Sequence, residues 1–413
     1  MLEIKGTYQT AYSMAENLDA ETIKQIEAIC SCEAYKNAKI RVMADAHAGK
    51  GSTVGTTIKL NKDSNGDYCA IPNTIGVDIG CGVAAVKLGV LPENFDFEIL
   101  DKIIRTKVPS GDSIHNVDPE LNEKHLIWLA KCVKDISKNI EKSNMYSYYM
   151  RSLGTLGGGN HFISLEQRKD GYTYLIVHTG SRRFGYDIAT YWQNIAKELC
   201  DWKHRTNLLH ILRDIEPSKR QAFIEKNNAQ KIPEGQEYVI GYSFSQYFDY
   251  VRIAQDYAQL NRQLIIKVIC DELKAIYGIE QHGPIIESVH NYIDTEKMII
   301  RKGAISAKKN EICIIPLNMR DGSLICEGLG KEEWNYSAPH GAGRIGSRAA
   351  ARASITLEEY KQSMEGIWSS CINKNTIDEA PMAYKNADAI KSAIGCTVSI
   401  LEELKPIYNF KAN

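Results

Sequence analysis

The sequence of 413 residues predicts a mixed α+β fold in one compact domain. Runs of apolar and β-branched residues that end in glycine-bearing polar turns predict strands. Between them, stretches with apolar residues at helical spacing predict packed helices. The sequence contains no internal repeat, low-complexity tract or composition change typical of a linker. We therefore predict a single domain over residues 1–413.

Four segments predict strands. Residues 38–51 (AKIRVMADAHAGKG) predict a strand ending in a polar turn, and residues 73–90 (NTIGVDIGCGVAAVKLGV) predict a strand interrupted by glycines. Residues 172–185 (YTYLIVHTGSRRFG) predict a buried strand that stops before a small polar turn. Residues 311–328 predict a hairpin, because the Asp-Gly pair at 321–322 is a strong turn signal.

Three segments predict helices. Apolar residues recur at helical spacing over 123–142 and over 250–278, and the second segment is long enough to be a central packed helix. The charged residues 203–237 predict a surface excursion of helix and loop.

Composition narrows the functional classes. Fifty basic and 51 acidic residues give a formal net charge of −1, which excludes a global basic excess but leaves room for a local cationic groove. The 11 cysteines form no disulfide-scaffold pattern and indicate reduced thiols. We find neither an apolar run of about 18 residues nor a leader-like start, so we expect a cytoplasmic protein.

Histidines, a cysteine and aspartates lie in small, polar or glycine-rich contexts beside apolar runs. These residues are Asp45 and His47 (MADAHAGKG), Asp78 and Cys81 (GVDIGCGV), His161 (TLGGGNHF), His178 (IVHTGSR), His290 (SVHNY) and His340 (APHGAGR). Carboxylate, thiolate and imidazole ligands together suit Mn²⁺, Fe²⁺, Co²⁺ or Zn²⁺ better than Mg²⁺ or Ca²⁺. The set exceeds what one tetrahedral ion needs, and a thiolate can bridge two ions. We therefore predict a dinuclear site of the kind used in phosphoryl transfer.

Each of these residues also has an ordinary structural interpretation. A single histidine is more often a hydrogen-bonded polar residue than a ligand, and Cys81 alone would be a small buried apolar residue. Their coincidence favours a metal site. His340 could be an acid/base, a metal ligand or a nucleophile. Several arginines beside glycine-rich turns could contact phosphate or form a solvated face: Arg182, Arg183, Arg344, Arg348 and Arg352.

Seven short sequence blocks follow one another along the chain. They are MADAHAGKG, GVDIGCG, LGTLGGGNHF, VHTGSR, HNY, HGAGR and APMAYK, which span residues 43–385, and the tail LKPIYNFKAN follows them. In these blocks the sequence resembles the RtcB family of GTP-dependent RNA ligases. The resemblance implies a β-sandwich-like core of mixed sheets surrounded by helices. It also implies an enzyme that uses GTP and two Mn²⁺ ions to join an RNA 3′-phosphate or 2′,3′-cyclic phosphate to a 5′-hydroxyl.

The resemblance also implies roles for individual residues. His340 matches the nucleophile that becomes guanylylated, and Asp45 matches an acidic residue that orients its imidazole. Metal ligands carry over onto Asp78, Cys81, His161, His178 and His290. Nucleotide contacts carry over onto Asn160, Phe162, Gly341, Gly343, Tyr384 and Lys411. The family's substrates imply RNA fragments from tRNA or rRNA as partners, and an archease-like protein as an activator.

The sequence departs from the family pattern at one informative position. Members usually carry an acidic residue two positions after the phenylalanine of NHF, where it contacts guanine, whereas this chain has Ser164 there and its nearest acid is Glu166. The departure leaves the choice between GTP and ATP open. Two rival hypotheses are a dinuclear phosphodiesterase that opens cyclic phosphates without guanylylation, and a non-catalytic RNA-binding relative.

Overall fold

The computed structural model describes residues 1–121, 123–212, 215–221, 224 and 232–412. Its strands are Leu2–Lys5 (β1), Thr10–Ser13 (β2), Lys39–His47 (β3), Val54–Lys59 (β4), Cys69–Ala70 (β5), Gly82–Val90 (β6), Phe162–Gln167 (β7), Tyr172–Thr179 (β8), Val239–Ile240 (β9), His282–Val289 (β10), Asn291–Asp294 (β11), Ile299–Lys302 (β12), Ala304–Ser306 (β13), Ile312–Asn318 (β14), Gly322–Gly328 (β15), Ser337–Pro339 (β16) and Val398–Lys411 (β17). Its α-helices are Ala20–Cys30 (α1), Phe97–Lys107 (α2), Lys124–Asn139 (α3), Tyr146–Arg151 (α4), Arg182–Leu212 (α5), Tyr242–Tyr277 (α6), Arg348–Ser354 (α7), Leu357–Ser363 (α8) and Ala387–Ile394 (α9).

A six-stranded sheet has the order β1-β2-β3-β4-β12-β11. The β2–β3 pair is parallel and the other pairs are antiparallel, so this sheet is mixed. Alternating residues of β3 and β4, such as Ile40, Val42 and Ile58, are buried in one core with residues of α1 and α3–α6. Burial of one face of each strand against helices is the arrangement that the apolar alternation predicts.

A seven-stranded antiparallel sheet has the order β10-β6-β8-β7-β17-β15-β14. This sheet curls, so that its two outermost strands, β10 and β14, approach each other. The backbone N–H of Ile314 on β14 donates a hydrogen bond of 2.8 Å to Ser288 Oγ on β10. One face packs on α2 and α6 through an apolar cluster that includes Leu100, Ile104 and Ile269. The other face curves around a cavity that contains the candidate active site.

The structure confirms the predicted mixed α+β class, with strands and helices alternating along the chain. The predicted hairpin is β14–β15, and the predicted long helix is α6, which ends at Gly278 in the left-handed conformation (φ 69°). The predicted excursion at 203–237 begins as the end of α5, and its residues 213–214, 222–223 and 225–231 lie outside the described residues.

The strand predicted over 73–90 is wrong in its first half, because β6 begins only at Gly82. Gly80 has φ +77°, and a Cβ there would lie 2.9 Å from both Gln255 Cα and Ala258 Cβ of α6. The segment that contains Asp78 and Cys81 is therefore an irregular turn packed against a helix rather than part of the predicted strand. Among the described residues, no helix is long and apolar enough to cross a membrane.

Candidate active site

A cavity of about 690 Å³ opens on the concave face of the curled sheet. Its walls bring together residues from all parts of the chain, among them Asp78, Cys81, Asn160, Phe162, Glu166, His178, His290, Lys302, Gly341, Gly343, Arg344, Arg348, Tyr384, Asn409 and Lys411, together with His340. The volume lies within the range of about 300–1,000 Å³ that is typical of small-molecule sites. Residues predicted from separate sequence blocks thus share one cavity.

Cys81 is the centre of a buried group of potential metal ligands. Its Sγ lies 3.5 Å from His161 Nε2 and 3.4 Å from His178 Nε2. His178 Nε2 in turn lies 3.4 Å from His290 Nε2. Cys81, His161 and His178 form a set of ligand atoms that could hold one metal ion.

Asp78 completes this group. Its Oδ2 lies 3.2 Å from His161 Nε2, while His161 Nδ1 lies 2.9 Å from the carbonyl oxygen of Leu156. A carbonyl oxygen can only accept, so Nδ1 carries a proton, and in the neutral ring the lone pair of Nε2 faces the carboxylate.

The donor set therefore fits a cation. The Asp78 carboxylate faces an imidazole lone pair, and burial with neighbouring histidines holds the pKa values of His178 and His290 well below the ordinary value. Neutral imidazoles are the form that binds metals. Burial and the charge of Asp78 raise the pKa of the Cys81 thiol, and a bound cation is what would favour its thiolate.

The fold positions these candidate ligands at the ends of strands. Cys81 precedes β6, His161 precedes β7, His178 is near the end of β8, and His290 joins β10 to β11. Antiparallel pairing sets Val83 and Phe162 on either side of His178, which brings the flanking Cys81 and His161 close to it. These candidate ligands therefore lie where strands begin or end, and Cys81 and His161 come before a strand rather than after one.

Two polar residues of α6 brace this region, and the sequence analysis missed both. Arg262 is fully buried, donates to the carbonyl oxygens of Gly80 (2.8 Å) and Thr179 (3.0 Å), and forms an ion pair of 2.6 Å with Glu287. Asn261 Oδ1 accepts from the backbone N–H groups of Gly154 and Thr155. A polar pair within the otherwise apolar buried stripe of this helix was the available signal.

His340 follows β16 and is paired with a buried aspartate. Its Nδ1 lies 2.6 Å from Asp45 Oδ2, and its backbone N–H donates to the same oxygen at 3.1 Å. Since a carboxylate accepts, Nδ1 carries a proton, and in the neutral ring Nε2 keeps a lone pair. The His340 ring lies 4.8 Å from the His290 ring, measured between centroids. Gly343 must be a glycine, because with φ +70° its Cβ would lie 2.2 Å from the Asp45 carbonyl oxygen.

Glu379 lies behind the cavity wall and holds several residues that line it. Tyr384 Oη and Lys411 Nζ each donate to Oε2 at 2.7 Å, while Arg344 and Arg348 donate to Oε1 at 3.2 and 2.6 Å. Burial raises the pKa of Glu379, but the charges of Lys411 and Arg348 lower it by more, so that the pKa is about 2. The signal available in the sequence was the acidic pair Asp378–Glu379, which directly precedes the APMAYK block.

The residues predicted to contact nucleotide occupy this same wall. Lys411 Nζ also donates to the Asn160 carbonyl oxygen at 3.3 Å and lies 5.5 Å from the centre of the Phe162 ring. The Arg344 guanidinium covers one face of Tyr384 at 5.4 Å from the ring centre. The other predicted contact, Gly341, borders the cavity beside His340.

The arginines predicted to bind RNA phosphate all make contacts within the chain. Arg348 and Arg352 pair with Asp378, and Arg183 pairs with Asp187. Arg182 donates to Thr155 Oγ1 and to the Gly111 carbonyl oxygen. Phosphate binding by these arginines stays a prediction.

Lys302 is a further cavity residue that the sequence analysis missed. Its Nζ donates to the Lys50 and Ser52 carbonyl oxygens, both at 2.8 Å, and to Ser52 Oγ at 2.9 Å. Burial lowers its pKa to about 7. Lys302 thereby ties the turn after β3 to the edge of the cavity.

The fold and the site define an α+β protein with a candidate metal centre beside an aspartate-oriented histidine. A family model described as tRNA-splicing ligase RtcB matches residues 25–412, and the chain belongs to this family. The RNA-splicing ligase RtcB of Escherichia coli strain K12 is 32% identical over 401 residues, which cover 89% of this chain and 88% of that protein. The tRNA-splicing ligases RtcB of Aeropyrum pernix and Archaeoglobus fulgidus are 26% and 23% identical, and the matches cover 84% and 95% of this chain and 82% and 91% of those proteins.

Proposed function

We propose that this chain is an RNA ligase that joins a 3′-phosphate or 2′,3′-cyclic phosphate end to a 5′-hydroxyl end, using GTP and a guanylylated histidine. The observation that supports this proposal is the 2.6 Å pair of Asp45 and His340 in the same cavity as the cysteine–histidine cluster. Covalent catalysis divides one difficult condensation into easier steps. The nucleophile in this scheme is His340 Nε2.

In the first step, His340 Nε2 attacks the α-phosphorus of GTP. An N–P bond forms, the bond from the α-phosphorus to the bridging oxygen breaks, and pyrophosphate leaves with that electron pair. The imidazole gains positive charge as the bond forms, and the Asp45 carboxylate at Nδ1 stabilises that charge. Lys411, Arg344 and Arg348 lie along the cavity wall, where cations would attract the phosphates.

In the following steps, the RNA 3′-phosphate attacks the same phosphorus and the N–P bond breaks, which returns the electron pair to Nε2. A cyclic phosphate must first be hydrolysed to the 3′-phosphate. The 5′-hydroxyl oxygen then attacks the RNA phosphorus and releases its proton to solvent, and the phosphoanhydride bond breaks so that GMP leaves with the electron pair as the phosphodiester forms. Two Mn²⁺ ions held by Asp78, Cys81, His161, His178 and His290 would neutralise phosphate charge and polarise the phosphorus–oxygen bonds.

The test is covalent labelling with GTP that carries the label on its α-phosphate, in the presence of Mn²⁺. We expect an acid-labile label on the wild-type protein and none on His340→Ala. His125→Ala is the matched control, because His125 is exposed and pairs only with Glu123 beside it among the described residues. A wild-type protein that takes no label with any divalent metal, but opens a 2′,3′-cyclic phosphate, would support the phosphodiesterase instead.

For the physiological role, we propose repair of broken tRNA or rRNA in the cytoplasm, with an archease-like protein as activator. The near-neutral charge of the chain supports recognition of broken ends rather than of a long RNA surface. Ligation rates for nuclease-cleaved tRNA and for intron-derived tRNA halves, with and without such an activator, test this role. A large preference for the intron-derived halves would contradict it.

A further inference from the structure

A row of polar side chains crosses the cavity-facing side of the larger sheet. Alternation along β7 places Phe162, Ser164 and Glu166 on one face. The pairing of β7 with β17 sets Lys411 opposite Phe162 and Asn409 opposite Ser164. Among these five residues, Phe162, Glu166, Asn409 and Lys411 line the cavity.

Glu166 is 2% exposed and has one oxygen without a well-formed hydrogen bond. Ser164 Oγ donates to Oε1 at 3.0 Å, which occupies that side of the carboxyl group. Oε2 is buried and makes no hydrogen bond of good geometry within the described part of the chain, although the hydroxyl and the backbone N–H of Ser323 lie close enough to lower the pKa of the carboxyl group through hydrogen bonding. Burial raises the pKa of Glu166 to about 7.

Asn409 shows the same feature one strand away. It is 2% exposed, and its Oδ1 has no hydrogen-bond partner among the residues that the structure describes. The small side chain of Ser164 lies directly opposite Asn409 in the sheet. Two buried acceptors in one cavity wall are costly unless something in the cavity donates to them.

Guanine is the base whose edge supplies such donors. Its N1–H and its 2-amino group are neighbouring donors, whereas adenine has an acceptor at N1 and hypoxanthine lacks the 2-amino group. A carboxylate and an amide oxygen both accept, so a wall with these two groups favours guanine over both other bases. A site that hydrogen-bonds its ligand rejects analogues that leave buried polar groups unpaired.

We propose that Glu166 and Asn409 determine the base specificity of this site, by accepting hydrogen bonds from the Watson–Crick edge of guanine. Ser164 orients Glu166 by donating to Oε1, which leaves Oε2 to face the ligand. The carboxylate that contacts the base is thus supplied two residues along β7 from position 164, on the same face of the strand. This inference rests on the proposed function in that a guanine nucleotide occupies the cavity.

The test is equilibrium binding of GMP, IMP and AMP to the Mn²⁺-loaded protein by calorimetry. These monophosphates lack the pyrophosphate leaving group, so binding is measured without guanylylation. We expect wild-type protein to bind GMP at least about 10-fold more tightly than IMP or AMP. Glu166→Gln and Asn409→Ala should each weaken the binding of GMP by about 10- to 100-fold and the binding of IMP by less. Glu403→Gln is the matched control, since Glu403 lies on β17 outside the cavity and pairs with Lys391.

The outcomes separate this inference from the proposed function. Equal affinities of wild-type protein for the three nucleotides, or an unchanged preference in Asn409→Ala and in folded Glu166→Gln, would overturn the base-reading role, even if His340 is labelled by GTP. A GMP preference that both variants reduce would support the role even if His340 takes no label, a result that would remove the covalent mechanism alone. Thermal melting identifies a variant that fails to fold, and the other variant then decides.

Discussion

Asp45 Oδ2 accepts two hydrogen bonds from the same residue, one from Nδ1 and one from the backbone N–H of His340. The pair fixes the ring tautomer and the backbone position together, so Nε2 has a set direction. Asp45 is completely buried on β3, whereas His340 is partly exposed to the cavity. A rigid buried acceptor beneath a reactive ring is the usual way to orient an imidazole.

Asp45→Asn is expected to slow guanylylation of His340 by about 10²–10⁴-fold, because an amide can stabilise the other tautomer and carries no negative charge. Label incorporation from GTP over time measures the rate. Metal content should stay at the wild-type value, since Asp45 lies outside the cysteine–histidine cluster. A normal labelling rate in the folded variant would show that Asp45 has no orienting role.

Cys81→Ser is expected to lower the number of bound Mn²⁺ ions per chain, because a serine hydroxyl is a weaker ligand than a thiolate. The Cys81 Sγ lies within 3.5 Å of both His161 Nε2 and His178 Nε2, so its loss would remove a ligand atom from the middle of the candidate site. Elemental analysis after dialysis gives the stoichiometry. Cys396→Ser is the matched control at an exposed cysteine, and wild-type metal content in both variants would exclude Cys81 as a ligand.

The candidate site residues were easier to identify from the sequence than the residues that hold them in position. Residues such as Cys81 and His178 have distinctive chemistry and distinctive flanking glycines, so they are recognisable without a structure. Arg262 is separated from Gly80 by 182 positions, and its role comes from helix packing that no local pattern encodes. The strand predicted through Asp78 and Cys81 failed for the same reason, because the position of α6 against Gly80 decides the backbone there.

Glu379→Gln is expected to destabilise the fold at neutral pH by about 3 kcal/mol, because removal of the carboxylate leaves buried cations without their counter-charge. The pKa of Glu379 is lowered from 4.5 to about 2. Its contribution is therefore present above about pH 4.5 and is lost as the pH falls towards 2. Urea unfolding at pH 7 and at pH 3 should show a large difference from wild type at pH 7 and a smaller one at pH 3. Equal differences at both pH values would contradict this assignment.

Glu166→Gln is expected to have the opposite effect on stability. Burial raises the pKa of Glu166 from 4.5 to about 7, so the folded state resists ionisation that the unfolded chain allows. The wild-type protein therefore loses stability, on the order of 3 kcal/mol, as the pH rises from 4.5 to 7. Gln cannot ionise, so the variant should melt at a higher temperature than wild type at pH 8 and at a similar temperature at pH 4.5.

The same variant should bind GMP more weakly at pH 8, so stability and binding move in opposite directions. This opposition distinguishes a group retained for ligand recognition from one retained for packing, since substitution of a packing residue would lower both the stability of the protein and its affinity for GMP. Melting curves of wild type and Glu166→Gln, with and without saturating GMP, measure both effects on one sample. If GMP raises the melting temperature of the two proteins equally at pH 8, Glu166 does not contact the base.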